Sequence, residues 1–201
     1  MSKQVSPEAF FDSLSIGYKL DSFLEGFKRQ EINLFSYFSS ILYGYQGNNV
    51  SDWGYKYIID SGGYPFSEAL NEASERHIQN GSFEKRDKRD DYYVVSSRGA
   101  TEYVTFKSLE SLAWREKFID AACTTNILVP YSQTLRALLD SPDLQKSKEI
   151  DNWLDQSGIY NKISQISEAV GVPTGDLIIP AVSWIKYLTI EEDAHNKSRN
   201  T

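Results

Sequence analysis

The sequence predicts a mainly α-helical fold carrying one small β-hairpin, and three observations lead there. Apolar residues recur at helical spacing through most of the chain. The clearest run is Leu34, Phe38, Ile41, Leu42 and Tyr45, the stripe of a core-facing helix. One stretch, Tyr92–Tyr93–Val94–Val95, breaks that period and is strongly β-prone. The 201 residues are 40% hydrophobic and 13% aromatic, so a buried core needs neither metal nor disulfide.

Taken in order, Ser6, Pro7 and Glu8 supply an N-cap, a proline at the first helical position and an acid in the first turn. The helix they start carries Phe10, Phe11, Leu14, Tyr18, Phe23, Leu24 and Phe27, and Gly17 and Gly26 weaken it enough to invite a break. A second helix begins at Glu31, bears the stripe above, and ends in the turn Gly44–Tyr45–Gln46–Gly47–Asn48–Asn49. A short helix fits 51–59, with Trp53, Tyr57 and Ile58 inward, until Ser61–Gly62–Gly63 breaks it. Pro65 opens a third helix over 66–79, with Phe66, Leu70, Ala73 and Ile78 apolar and Asn80–Gly81 as its stop.

Residues 83–85 and 91–96 are extended and flank the charged tip Arg86–Asp87–Lys88–Arg89–Asp90, which makes a hairpin ending at Ser97–Arg98–Gly99. A long helix then runs through Phe106, Leu109, Leu112, Ala113, Ile119, Ala122, Cys123 and Ile127, limited by Pro130. Shorter helices fit 132–139, 144–154, 160–170 and 181–188, and the polar stretch beyond Leu188 is expected to fray. Between 163 and 184 lies a fainter helix–glycine turn–helix pattern, which Pro180 interrupts, so ordinary helix packing explains it better.

Three helices and then a hairpin is the order of a winged helix-turn-helix domain. The segment from Leu70 to Gly99 resembles one in layout. A helix ends in Ile78–Gln79–Asn80–Gly81, a first strand and a charged tip follow, and the return strand reads Tyr92–Tyr93–Val94–Val95–Ser96–Ser97–Arg98–Gly99. The expected organisation is an N-terminal helix at 1–29, a winged-helix domain at 30–100, a helical partner-docking region at 101–188 and a flexible tail at 189–201.

Charge bears on what such a domain would hold. The net charge of −7 repels phosphates on average, so DNA contact would need a local basic patch or a basic partner. Lys85, Arg86, Lys88, Arg89 and Arg98 offer one, interleaved with Glu84, Asp87, Asp90 and Asp91. The helix in the reading position is less suited, with Glu68, Glu72 and Glu75 against Arg76, and only Asn71 and Gln79 of the kind that reads base edges. Two readings stand: a solvated hairpin on a protein-binding winged helix, or sequence-independent DNA contact through the wing.

No catalytic, metal or cofactor site is legible. Of the two histidines, His195 falls in the polar tail and His77 sits mid-helix among charges, where a surface place is expected. The lone cysteine, Cys123, lies on an apolar face and reads as inert packing. No phosphate-binding loop occurs, and Glu191–Glu192–Asp193 reads as solvated tail. A nuclease built on scattered carboxylates is the enzyme reading such a census passes over. A single cysteine, no secretory signal and no membrane-spanning run lead to an expected cytoplasmic location.

Tryptophan marks the candidate docking surface. Trp114 and Phe118, at i and i+4, stand away from the Leu109–Leu112 face, so their helix is apolar on two sides and is buried either in its own chain or against a partner. Trp153 and Trp184 carry the same alternatives. The layout over 30–145, with Arg115 in the helix after the wing and Pro130 following, resembles the small middle component of ABC/SMC-type three-component phage-defence systems, the Lamassu group. That resemblance implies an SMC-like ATPase and a nuclease effector as partners, with this subunit bridging them or sensing DNA ends. The competing expectation is a winged-helix transcription regulator whose helices after the wing dimerise.

Overall fold

The computed structural model describes residues 5–86, 91–141, 157–173 and 175–199. Lys88, Arg89, Trp153 and the helix expected over 144–154 lie outside them. Helix α1 (Pro7–Leu24) starts as predicted, with Ser6 Oγ accepting from the Ala9 amide at 3.2 Å. It runs unbroken through Gly17. A Cβ there would meet Phe83 Cζ at 2.9 Å and Phe27 Cζ at 3.0 Å, so the glycine admits two rings against the helix instead of breaking it. In α2 (Arg29–Tyr45), the Glu31 carboxylate accepts from the Lys28 amide at 2.8 Å, and Ile32, Leu34, Phe35, Phe38, Ile41 and Leu42 are all buried.

The next segment departs from the predicted short helix over 51–59. A 3-10 turn (Val50–Trp53) stops at Gly54, whose φ of 95° is left-handed. The β-branched pair β1 (Ile58–Ile59) then runs antiparallel to β2 (Pro65–Phe66), with Ile58 opposite Phe66. Asp60 Oδ1 accepts from the amides of Gly62 (2.9 Å) and Tyr64 (2.8 Å) and fixes the turn between them. Trp53 and Tyr57 are inward as predicted, but Ile58 is exposed. Pro65 consequently begins a strand and opens no helix.

Helix α3 (Glu68–Asn80) begins after Ser67, whose amide donates to Asn33 Oδ1 at 2.8 Å. It closes on Gly81, with the Ser82 amide returning to the His77 carbonyl at 2.9 Å. The hairpin β3 (Phe83–Lys85) and β4 (Tyr93–Val95) follows in the order predicted, with Phe83 opposite Val95 and Lys85 opposite Tyr93. Its second strand is also tied to the end of α1: Phe27 and Tyr93 exchange two backbone hydrogen bonds, at 2.9 and 2.8 Å.

The single long helix predicted after the hairpin is two. Helix α4 (Ser97–Lys107) is capped by Ser96 Oγ on the Gly99 amide at 3.1 Å, and α5 (Glu110–Leu128) starts after Leu109, whose backbone is extended. Helix α6 (Tyr131–Leu139) starts directly after Pro130, and α7 (Ser157–Val170) ends at Gly171. Helix α8 (Ile178–Arg199) takes Pro180 in its first turn, where no intrahelical amide is lost, and continues past Leu188 through Glu-, Ala- and Lys-bearing sequence that suits a helix.

The fold is therefore mainly helical with two small antiparallel strand pairs. Helix α5 is its axis, packing against α1, α2, α4, α6 and α8. No described helix is long and apolar enough to cross a membrane.

Candidate interaction surface

The features sequence reasoning singled out fall into two regions, the hairpin and the outer face of α5. In the hairpin, Lys85 is exposed on β3. Arg86, just beyond, places Nη2 3.3 Å from Glu25 Oε2. Arg98 is exposed in the first turn of α4, its Nε donating to Glu102 Oε1 at 2.9 Å. Because Phe83 pairs with Val95 at the base of the hairpin, Arg98 lies past that base, at the end opposite the tip. The described cations of the hairpin thus do not converge, and two of the three face a carboxylate. On α3 the exposed side chains include Glu68, Glu75, Arg76 and Gln79, so its outer face stays acidic.

On α5, Trp114 is 36% exposed, whereas Phe118 is 1% exposed. Phe118 packs edge-on to Tyr43 with ring centroids 5.2 Å apart. Trp184 is also buried, its ring 5.4 Å from that of Phe38. Phe118 and Trp184 are core residues, which corrects their expected place on a docking surface. The helices of this chain bury that second apolar side themselves, and Trp114 is what remains outside. Its indole Nε1 donates to the Ser111 carbonyl at 3.0 Å. Val104 and Leu109, nearby in the chain, are exposed apolar side chains as well.

Beneath Trp114 lies a polar network whose partners stand far apart in the sequence. Arg115 and Asp12 are both fully buried and form a bidentate ion pair, Nε to Oδ1 at 2.7 Å and Nη2 to Oδ2 at 2.5 Å. The guanidinium carbon sits 3.9 Å from the centroid of the Trp53 ring and 4.9 Å from that of Trp114, and this cation–π contact helps compensate Nη1, which has no hydrogen-bond partner. The Tyr55 hydroxyl donates to Asp12 Oδ2, and Ser36 Oγ bridges Tyr55 and Tyr57. Burial pushes the Asp12 carboxyl above its ordinary range, with Arg115 pulling the other way. For Arg115, burial acts to lower the value, but the Asp12 carboxylate outweighs it and holds the guanidinium charged.

A second network occupies the next turn. Lys19 Nζ donates to Glu116 Oε1 at 2.6 Å and also reaches Asp120, while Tyr103 and Ser15 donate to Glu116 at 2.5 and 2.8 Å. Burial alone would raise Glu116, yet Lys19 and these hydroxyls bring its carboxyl below the ordinary range. His77, expected at the surface, is instead buried between Phe10 (ring centroids 3.9 Å) and Phe83 (4.9 Å), with Nε2–H donating to the Phe10 carbonyl at 2.9 Å.

These networks join α1 to α4 and α5, and α1 to α3. They are built for holding helices together: both ion pairs, and the His77 hydrogen bond, join side chains of one helix to another helix of the same chain. Among the described residues no group of three or more His, Cys, Asp or Glu side chains is placed to hold a metal ion. Cys123 is buried in the core, and burial raises its thiol well above the reactive range. Compared with protein-family models, with curated proteins and with solved structures, the chain matches none.

Proposed function

We propose that this chain is a non-catalytic adaptor subunit of winged-helix type in a multi-protein assembly. Helix α3 stands in the place of a recognition helix, and β3–β4 is the wing. One observation carries the choice of adaptor over regulator: α5, the second helix after the hairpin, is spent on the chain's own core, packed against α1, α2 and α8. A regulator of this type would project those helices to dimerise. The acidic outer face of α3 and the carboxylates beside Arg86 and Arg98 support protein contact as the main task, with auxiliary, sequence-independent DNA contact through the wing. The resemblance to the Lamassu middle component suggests the kind of assembly, an SMC-like ATPase with a nuclease effector.

Co-expression with the products of neighbouring genes tests this. The expected result is a complex of defined mass that survives size exclusion, weakened about thirtyfold by Trp114→Ala, the loss typical of an anchoring tryptophan. The isolated Trp114→Ala chain, checked by its melting transition, should remain folded. A stable homodimer that shifts its own promoter at nanomolar concentration, and loses that shift with Lys88→Glu and Arg89→Glu, would reverse the choice.

A further inference from the structure

We infer that the outward face of α4 docks an amphipathic helix of a partner protein, one whose apolar seam is flanked by Asp and Glu. This rests on the adaptor reading and gives the chemistry of one of its contacts. Helix α4 buries Gly99 and Tyr103, and half-buries Phe106, against the chain's own core. Ser97, Thr101, Val104, Thr105 and the cap Ser108 are all exposed, Val104 at 65%. At 3.6 residues per turn these five positions fall within about 100° of the helix circumference, the width of a stripe that packs against a neighbour.

The stripe carries no charge, and most of its hydroxyl protons are spent on its own helix. Thr101 Oγ1 donates to the Ser97 carbonyl at 3.0 Å, Thr105 Oγ1 to that of Thr101 at 2.9 Å, and Ser108 Oγ to that of Thr105 at 2.7 Å. A nucleic acid backbone is held by donors of this kind, so a stripe that has spent them offers it little. What is left for a neighbour is largely methyl and aliphatic carbon. The choice of residues also runs against helix stability. Thr101, Val104 and Thr105 are β-branched and weak helix formers, at positions where solvent alone would accept Ala, Glu or Lys.

Charge names the flanks of the occupant. By helical position Arg98 lies on one side of the stripe and Lys107 on the other, and both are exposed. The carboxylate of α4, Glu102, is drawn toward the hairpin, where it accepts from Ser82 Oγ at 2.6 Å as well as from Arg98 at 2.9 Å. Lys107 Nζ stands 3.4 Å from Glu116 Oε1, an oxygen that Lys19 already holds at 2.6 Å. An exposed pair such as Arg98–Glu102 exchanges readily for another carboxylate. In a chain of net charge −7, α4 therefore presents an uncharged seam between two cations, which matches a helix with acidic flanks. A helix face has no free main-chain groups to pair with an extended segment, whereas side-chain ridges on two helices interlock.

The test is a nuclear magnetic resonance titration of the full chain with a stapled helical peptide carrying a Leu seam flanked by Glu, and with its twin in which every Glu is Lys. Saturable amide shifts centred on residues 97–108 are expected with the Glu peptide, which should bind about threefold tighter than its twin. The net charge of the chain favours the Lys twin everywhere else, so a preference for Glu reports this face and not bulk attraction. Val104→Glu, a change at an exposed position, should weaken the Glu peptide about tenfold. Silence on α4, equal or tighter binding of the Lys twin, or an affinity untouched by Val104→Glu overturns the inference. Shifts on α4 when the chain alone is concentrated assign the face to a second copy, and shifts there with a short DNA duplex assign it to nucleic acid; either overturns it too. A silent face in a chain that still co-purifies with its neighbours removes this inference and leaves the adaptor standing. Binding of the Glu peptide by a chain that assembles with nothing keeps the chemistry of the face and removes the adaptor.

Discussion

At the residue scale, the Asp12–Arg115 pair makes the sharpest demand. Taking both charges out of water costs several kcal/mol, and their bidentate contact returns it only while both are present. Arg115→Met should therefore destabilise the chain by about 3–5 kcal/mol, since Asp12 is left buried without its cation. Adding Asp12→Leu should recover most of that loss. Urea denaturation of the two single variants and the double closes the cycle, and additive losses would mean that the pair is not coupled. His77 gives a pH signature. Burial lowers its imidazole from 6.5 to about 4, against the hydrogen bond to Phe10 and the charge of Glu102. A depressed histidine favours the folded state fully above pH 6.5, and that contribution is lost as pH falls toward 4, because the unfolded chain binds the proton first. The loss amounts to about 3 kcal/mol. Asp12, raised, works in the opposite sense, so the difference between the wild type and His77→Gln is the quantity to measure. Wild-type stability should fall by about 3 kcal/mol more than that of the variant between pH 7 and 4; parallel curves would contradict the assignment.

At the element scale, the join between the hairpin and α4 is held by backbone. The Ser82 carbonyl accepts from the Ser96 amide at 3.0 Å, and a Cβ at Gly99 would lie 2.3 Å from that same oxygen. Main chain cannot swing aside as a side chain does. Gly99→Ala should cost at least about 2 kcal/mol, read as a lower denaturation midpoint, despite alanine's better helix propensity. A neutral or stabilising outcome would mean that α4 shifts freely on the hairpin. The caps at Ser6 and Gly81 and the stripe of α2 were legible in the sequence; the sequence pattern puts Gly99 at the close of the hairpin, whereas it lies in the first turn of α4. Three features were not legible. The β1–β2 pair is only two residues on each side, too short for alternation to show. The break at Ser108–Leu109 carries neither Gly nor Pro. The partners of Arg115 and Lys19 lie about a hundred positions away, at separations of 103 and 97, so no local pattern could pair them. Asp12 inside the apolar face of α1 was the one available hint, since a buried carboxylate requires a partner.

At the scale of the whole molecule, the course of the helices after the hairpin separates an adaptor from a dimeric regulator. They pack into one core with α1 and α2, which leaves the chain without a projecting dimerisation arm among its described residues. Its net charge of −7 and the acidic outer face of α3 oppose a grip on DNA by the subunit alone. Sedimentation of the isolated chain with a short DNA duplex, at about 0.15 M salt, tests both statements together. One protein species is expected, at the 22.9 kDa of a single chain, with the duplex sedimenting separately. A species of twice that mass carrying the duplex would contradict it.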